Sequence, residues 1–114
     1  MLTIYHNPYC KKSRAGLKYL QDKAVALTIV DYLKNPLTEK EMEKLLVKLN
    51  ARPPDLVRTQ ETYYKQNLKG KKFEDHEWIR ILIENPKLIQ RPIVEAQYRA
   101  VIGDPVANID ILLK

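Results

Sequence analysis

The chain has 114 residues, 45% of them apolar, which is one ordinary domain with enough material for a core. No run approaches the roughly 18 apolar residues of a membrane span, and the +6 charge favours an anionic partner, yet its basic residues are dispersed and no nucleic-acid motif accompanies them, so neither membrane nor nucleic acid is expected. One cysteine excludes an internal disulfide, one cysteine with two distant histidines gives no metal ligand set, and a start that is strand-like from Leu2 lacks a secretory leader, so the cytoplasm is the expected compartment.

Leu2-Thr3-Ile4-Tyr5 is apolar and β-branched and predicts a strand. His6-Asn7-Pro8-Tyr9-Cys10-Lys11-Lys12-Ser13-Arg14 follows, and Leu17 and Leu20 then recur at helical spacing. Cys10 thus falls about where a helix begins, facing its unpaired N–H groups and the positive end of its dipole. Both favour the thiolate, the nucleophilic form. Lys11 and Lys12 add positive charge, Pro8 fixes part of the loop, and Ser13 lies three residues on, where its hydroxyl can reach the sulfur. The competing reading is a small buried hydrophobe, which more often sits inside an apolar run than between Tyr9 and two lysines.

Ala26 to Leu33 is nearly continuously apolar and reads as a second strand, buried on both faces. Strand, helix and strand in about 33 residues predict a right-handed parallel βαβ unit. Asn35-Pro36 breaks the pattern, and Thr38-Glu39-Lys40-Glu41 matches a capping box. Met42, Leu45, Leu46 and Leu49 then mark an amphipathic helix whose stripe is read as core. Pro53-Pro54 opens a short turn or helix. Thr59 is placed as the cap of a helix reaching about Asn67, with Tyr63 and Tyr64 packed on the helix that follows. Lys69-Gly70-Lys71-Lys72 is a solvated loop. Glu74 or Asp75 caps a helix with Trp78, Ile81 and Leu82 inside, which stops before Asn85-Pro86.

Arg91-Pro92-Ile93-Val94 and Tyr98 to Ile102 predict an antiparallel hairpin, with Pro92 opening its strand. Asp104-Pro105 reads as an acidic cap with proline at the first helical position, and Ile109, Leu112 and Leu113 face inward. This order predicts an α/β class, a thioredoxin-like fold with an inserted helical segment and a mixed four-stranded sheet. One domain is expected over 1–114, with the insertion over about 35–88. In such a fold the proline before the third strand, here Pro92, lies opposite the reactive cysteine, often after a cis peptide bond.

His6-Asn7-Pro8-Tyr9-Cys10 with Ser13-Arg14 resembles the signature of the glutaredoxin-coupled arsenate reductases and their Spx-type relatives. Asn35-Pro36-Leu37-Thr38, Leu56-Val57-Arg58-Thr59 and Asn85 through Val94 match further landmarks of that family in the same order. The resemblance implies that Cys10 attacks arsenate, that glutathione attacks the resulting adduct, and that glutaredoxin resolves the mixed disulfide as arsenite leaves. No bound cofactor is implied; glutathione is a co-substrate. Arg58 and Arg91 match two oxyanion-binding arginines, a role suited to a planar, permanently charged guanidinium. His6, Ser13 and Arg14 match residues that support the thiolate.

Without the family, Arg58 is equally a helix C-terminal cap, Arg91 and Arg14 equally solvent-facing arginines, and His6 a hydrogen-bonded structural histidine. The sequence departs from the family where a third arginine precedes the proline before the last helix, because Asp104 stands there. An anion there opposes oxyanion binding by roughly 1 kcal/mol in water and a few times that in a protein site. Two compensations are open: Asp104 turned into its helix cap, or Lys11 or Lys12 supplying the charge. Arg99 is a third cation, on a side the sequence does not fix. Two other functions compete. One is an Spx-like module contacting RNA polymerase, which Ser13 disfavours because it replaces the second cysteine of a redox switch. The other is a reductase for a different anionic or glutathione-linked substrate.

Overall fold

The computed structural model describes residues Met1–Leu113. The chain divides into two compact units, one of residues 1–35 with 91–114 and one of residues 36–90.

The first unit holds β1 (Leu2–His6), α1 (Lys11–Asp22), β2 (Leu27–Asp31), β3 (Ile93–Glu95), β4 (Ala100–Ile102) and a 3-10 helix at Val106–Leu112. The sheet order is β2-β1-β3-β4. β1 and β2 are parallel, with Leu2 opposite Leu27 and His6 opposite Asp31. β1 and β3 are antiparallel, as are β3 and β4. This is a thioredoxin-like α/β fold with a mixed four-stranded sheet. Burial alternates along β1, with Leu2, Ile4 and His6 inside. The period of two puts these three on one face. Leu2 and Ile4 pack with Leu20 of α1, Val94 of β3 and Ile109 of the last helix. The same geometry aims His6 at the face that α1 covers.

β2 departs from the expectation of a strand buried on both faces. It is the edge strand, runs only from Leu27 to Asp31, and leaves Ile29 half exposed. Its apolar residues cover one flank of the sheet without neighbours beyond. Asp31 ends it by accepting N–H bonds from Leu33 and Lys34 at 3.0 and 3.3 Å. The last helix differs too. Asp104 does not cap it: Pro105, with extended backbone, precedes a 3-10 helix that has no side-chain cap.

The second unit holds α2 (Glu39–Leu49), 3-10 segments at Pro53–Leu56 and Pro86–Leu88, α3 (Thr62–Asn67) and α4 (Asp75–Glu84). Thr38 and Glu41 form the expected capping box, at 3.1 and 2.9 Å. α2 ends on Asn50 in the left-handed region, which asparagine tolerates. α4 is capped by Glu74 reciprocally with Glu77, and it packs on α2 and on both 3-10 segments. Phe73 meets Trp78 edge-on at 5.0 Å. The cap of α3 is Glu61, not Thr59, which lies in a preceding turn. α3 buries none of its residues, so Tyr63 is exposed rather than packed on the next helix.

Candidate active site

β1 ends at His6, and the chain turns through Asn7-Pro8-Tyr9 before α1. Asn7 builds this turn. Its carbonyl accepts the Cys10 N–H at 3.1 Å, and its Oδ1 accepts the Tyr9 N–H at 2.9 Å. Cys10 is the N-cap of α1, with extended backbone and a half-buried side chain. Burial pushes the thiol up. Against it act a hydrogen bond from the Arg91 side chain, the backbone N–H groups of Ser13 and Lys12, and the Arg91 charge. The net effect is a downward shift from the ordinary 9.0. These are hydrogen bonds to the charged form, which stabilise it directly.

Arg91 stands immediately before Pro92, and the Arg91–Pro92 peptide is cis. Pro92 is fully buried. Two glycines make room for its ring: a Cβ on Gly16 would lie 2.7 Å from its Cγ, and one on Gly103 would lie 3.1 Å from it. The Gly103 N–H also donates to the Pro92 carbonyl at 2.7 Å. Gly16 in α1 and Gly103 after β4 therefore let the segment carrying Arg91 seat against the helix that carries Cys10.

Ser13 is where the structure corrects its expected role. Its hydroxyl is fully buried and hydrogen-bonds His6 Nδ1 at 2.7 Å while accepting the Asn7 N–H at 2.9 Å. It is the backbone N–H of Ser13, not its hydroxyl, that serves the sulfur. His6 is buried, and its pKa lies below 6.5. Burial lowers it first, Asp31 raises it, the Arg14 charge lowers it, and a hydrogen bond at the Ser13 backbone raises it. Arg14 is exposed and donates from Nη1 to the Pro8 carbonyl at 3.0 Å, so it braces the turn.

The remaining cations divide. Lys11 is exposed in the first turn of α1. Lys12 Nζ pairs with Asp104 Oδ2 at 3.0 Å, so Lys12 does not stand as a free compensating charge. Arg99 is at the wrong end of the sheet. It precedes Ala100, which pairs with Glu95, which pairs with Thr3 near the start of β1, whereas Cys10 follows its end. Arg58 lies in the second unit. Its Nη1 donates to Glu61 Oε2 at 2.7 Å, and its N–H donates to the Leu88 carbonyl at 2.7 Å. Among the described residues no three His, Cys, Asp or Glu side chains are grouped to hold a metal, and no helix is long and apolar enough to cross a membrane.

Asn7, Asp31, Gly16 and Gly103 also shape the site, beyond the residues expected from sequence. Two signals were present: the Asn-Pro pair at a strand end, which favours a turn, and a glycine inside an amphipathic helix, which calls for a packing reason.

The ArsC family model matches residues 5–112. The chain belongs to the ArsC family. Relatives within and around it span nearly the whole chain. An arsenate reductase of Neisseria meningitidis serogroup A is 33% identical over 114 residues, covering 98% of this chain and 97% of that protein. The uncharacterized protein YfgD of Escherichia coli K12 is 40% identical over 106 residues, covering 90% and 87%. In three dimensions this ArsC chain matches the arsenate reductase from Vibrio cholerae with a TM-score of 0.90 at 32% identity, covering 96% and 95%.

Proposed function

We propose that this protein is a thiol-dependent oxidoreductase that reduces arsenate to arsenite through Cys10, with glutathione and glutaredoxin as its reductants. The observation that carries the reading is the cradle of Cys10: a helix-capping thiol favoured as thiolate by the Arg91 guanidinium and two backbone N–H groups. A thiolate beside a guanidinium suits attack on a tetrahedral oxyanion, since the same cation can hold an oxygen of the anion. The names of the relatives as arsenate reductases support arsenate as the substrate.

The thiolate attacks arsenic(V) and an oxygen leaves as water, giving a Cys10 thiol–arsenate adduct. The glutathione thiolate then attacks the Cys10 sulfur, the S–As bond breaks with its electron pair on arsenic, and arsenite leaves. Arsenic gains two electrons, and two thiols become one mixed disulfide. Only one of those thiols belongs to this chain, because it has one cysteine, so the second must arrive from outside. Glutaredoxin then reduces the mixed disulfide and returns Cys10 to the thiol. Arg91 holds an oxygen of the anion and keeps Cys10 ionised. Arg58 pairs with Glu61 Oε2 at 2.7 Å in its own unit; an oxyanion-binding role for it rests on the resemblance alone.

The test is arsenate-dependent NADPH oxidation with glutathione, glutaredoxin and glutathione reductase. Turnover should vanish in Cys10→Ser and fall in Arg91→Lys and Arg58→Lys. Equal turnover in Cys10→Ser would defeat the reading. Turnover with a glutathionylated peptide and none with arsenate would assign a different substrate to the same thiol.

A further inference from the structure

One ion pair is fastened to both parts of the Cys10 cradle. Lys12 Nζ and Asp104 Oδ2 are 3.0 Å apart, with side chains 58% and 40% exposed. Lys12 belongs to the first turn of α1, and its own N–H is one of the donors to the thiolate. Asp104 follows Gly103, whose N–H is bonded to the Pro92 carbonyl, and Pro92 follows Arg91, the other donor to that sulfur. Both charges therefore stand on the segments that hold the thiolate, at the end of the sheet where β1 stops and β4 stops. An exposed pair of this kind adds little to stability. Its physical effect is on the field. A lone ammonium adds a full positive charge to that of Arg91, whereas an ammonium with a carboxylate at contact leaves only a dipole.

We propose that Asp104 is a specificity-determining positioning residue: by holding Lys12 it lowers the positive field over Cys10 and sets the site against doubly charged anions relative to singly charged and neutral partners. The proposal rests on the preceding reading only in taking Cys10 as the reacting group. It acts through Lys12, so it makes a prediction that a merely structural contact does not make.

The experiment measures second-order alkylation of Cys10 in the full chain by iodoacetate and by iodoacetamide. In both the thiolate displaces iodide and forms a C–S bond; the reagents differ in that one is an anion and the other neutral. The ratio of their rates reads the potential at the sulfur. Removing the carboxylate alone leaves a net cation, removing the ammonium alone leaves a net anion, and removing both leaves neither. Asp104→Asn should raise the iodoacetate preference about two- to five-fold, the size of one added charge in a mostly aqueous setting. Lys12→Met should lower it by a similar factor. The double variant Lys12→Met/Asp104→Asn and the conservative Asp104→Glu should both return to the natural ratio. Added salt should shrink the differences. A ratio in Asp104→Asn equal to the natural one, or a double variant that follows Asp104→Asn, would overturn the proposal. Arsenate does not enter this assay. A shifted ratio without arsenate turnover would therefore sustain Asp104 as charge selector while defeating the arsenate reading, and turnover with an unchanged ratio would do the reverse.

Discussion

Replacing Arg91 by Gln removes the side chain that hydrogen-bonds the Cys10 thiolate and the positive charge beside it, while leaving the burial that pushes the thiol up. A hydrogen bond to a charged group contributes about 1.5–3 kcal/mol. Cys10 and Arg91 are both half-buried, so solvent screens part of the effect and the lower end applies. About 1.4 kcal/mol corresponds to one pH unit, so the thiol should titrate about one unit higher in Arg91→Gln. The natural thiol ionises below 9.0, and its reactive form is lost as pH falls through that lowered value. In Arg91→Gln the loss begins at higher pH, so well below the natural midpoint the thiolate population is about tenfold smaller. The assay is the rate of alkylation by neutral iodoacetamide across the neutral and alkaline range. Arg91→Lys keeps the charge without the planar fork and should fall between the two. An Arg91→Gln midpoint equal to or below the natural one would refute the electrostatic reasoning.

Three further outcomes follow from the same geometry. Gly16→Ala places a Cβ 2.7 Å from the buried Pro92 ring; the overpacking of about 1–3 kcal/mol should outweigh the roughly 1 kcal/mol of helix propensity gained, so a higher urea midpoint would contradict it. Ser13→Ala leaves the Asn7 N–H and His6 Nδ1 without the hydroxyl they share in a buried place; it should cost about 2–4 kcal/mol, seen as a lower urea midpoint at unchanged slope. His6 has a folded pKa below 6.5, chiefly from burial. As pH falls from 6.5 towards that value the unfolded chain takes the proton first, so stability declines over that window and levels off below it. His6→Gln should flatten this limb of the urea-midpoint profile; an unaltered slope would place the titration elsewhere.

Much of the architecture was legible because it rests on local rules. Thr38 with Glu41 fixes the start of α2 through reciprocal bonds between near neighbours, and the spacing of Met42, Leu45 and Leu46 marks the buried face. Cys10 could be placed at a helix start because the switch from a period of two to one of 3.6 falls around it. What the sequence concealed depended on partners distant in the chain. Continuous apolar residues in β2 look the same whether the strand is central or an edge, and only the sheet order decides. Asp104-Pro105 carries every local mark of a helix cap, yet Asp104 is drawn to Lys12, 92 positions before it. Ser13 can face Cys10 along the helix, but His6 and the Asn7 N–H take its hydroxyl from the preceding strand and turn. Arg99 could be assigned to one end of the sheet only once Ala100 was paired with Glu95.

The most direct measurement leaves glutaredoxin out. The protein is given arsenate and glutathione, then digested, and the Cys10 peptide is weighed by mass spectrometry while arsenite is counted. A glutathione disulfide should form on Cys10 only when arsenate is present, one for each arsenite released, and should disappear when glutaredoxin is added. Arsenite released with Cys10 left unmodified, or a glutathione adduct that forms equally well without arsenate, would contradict reduction through Cys10.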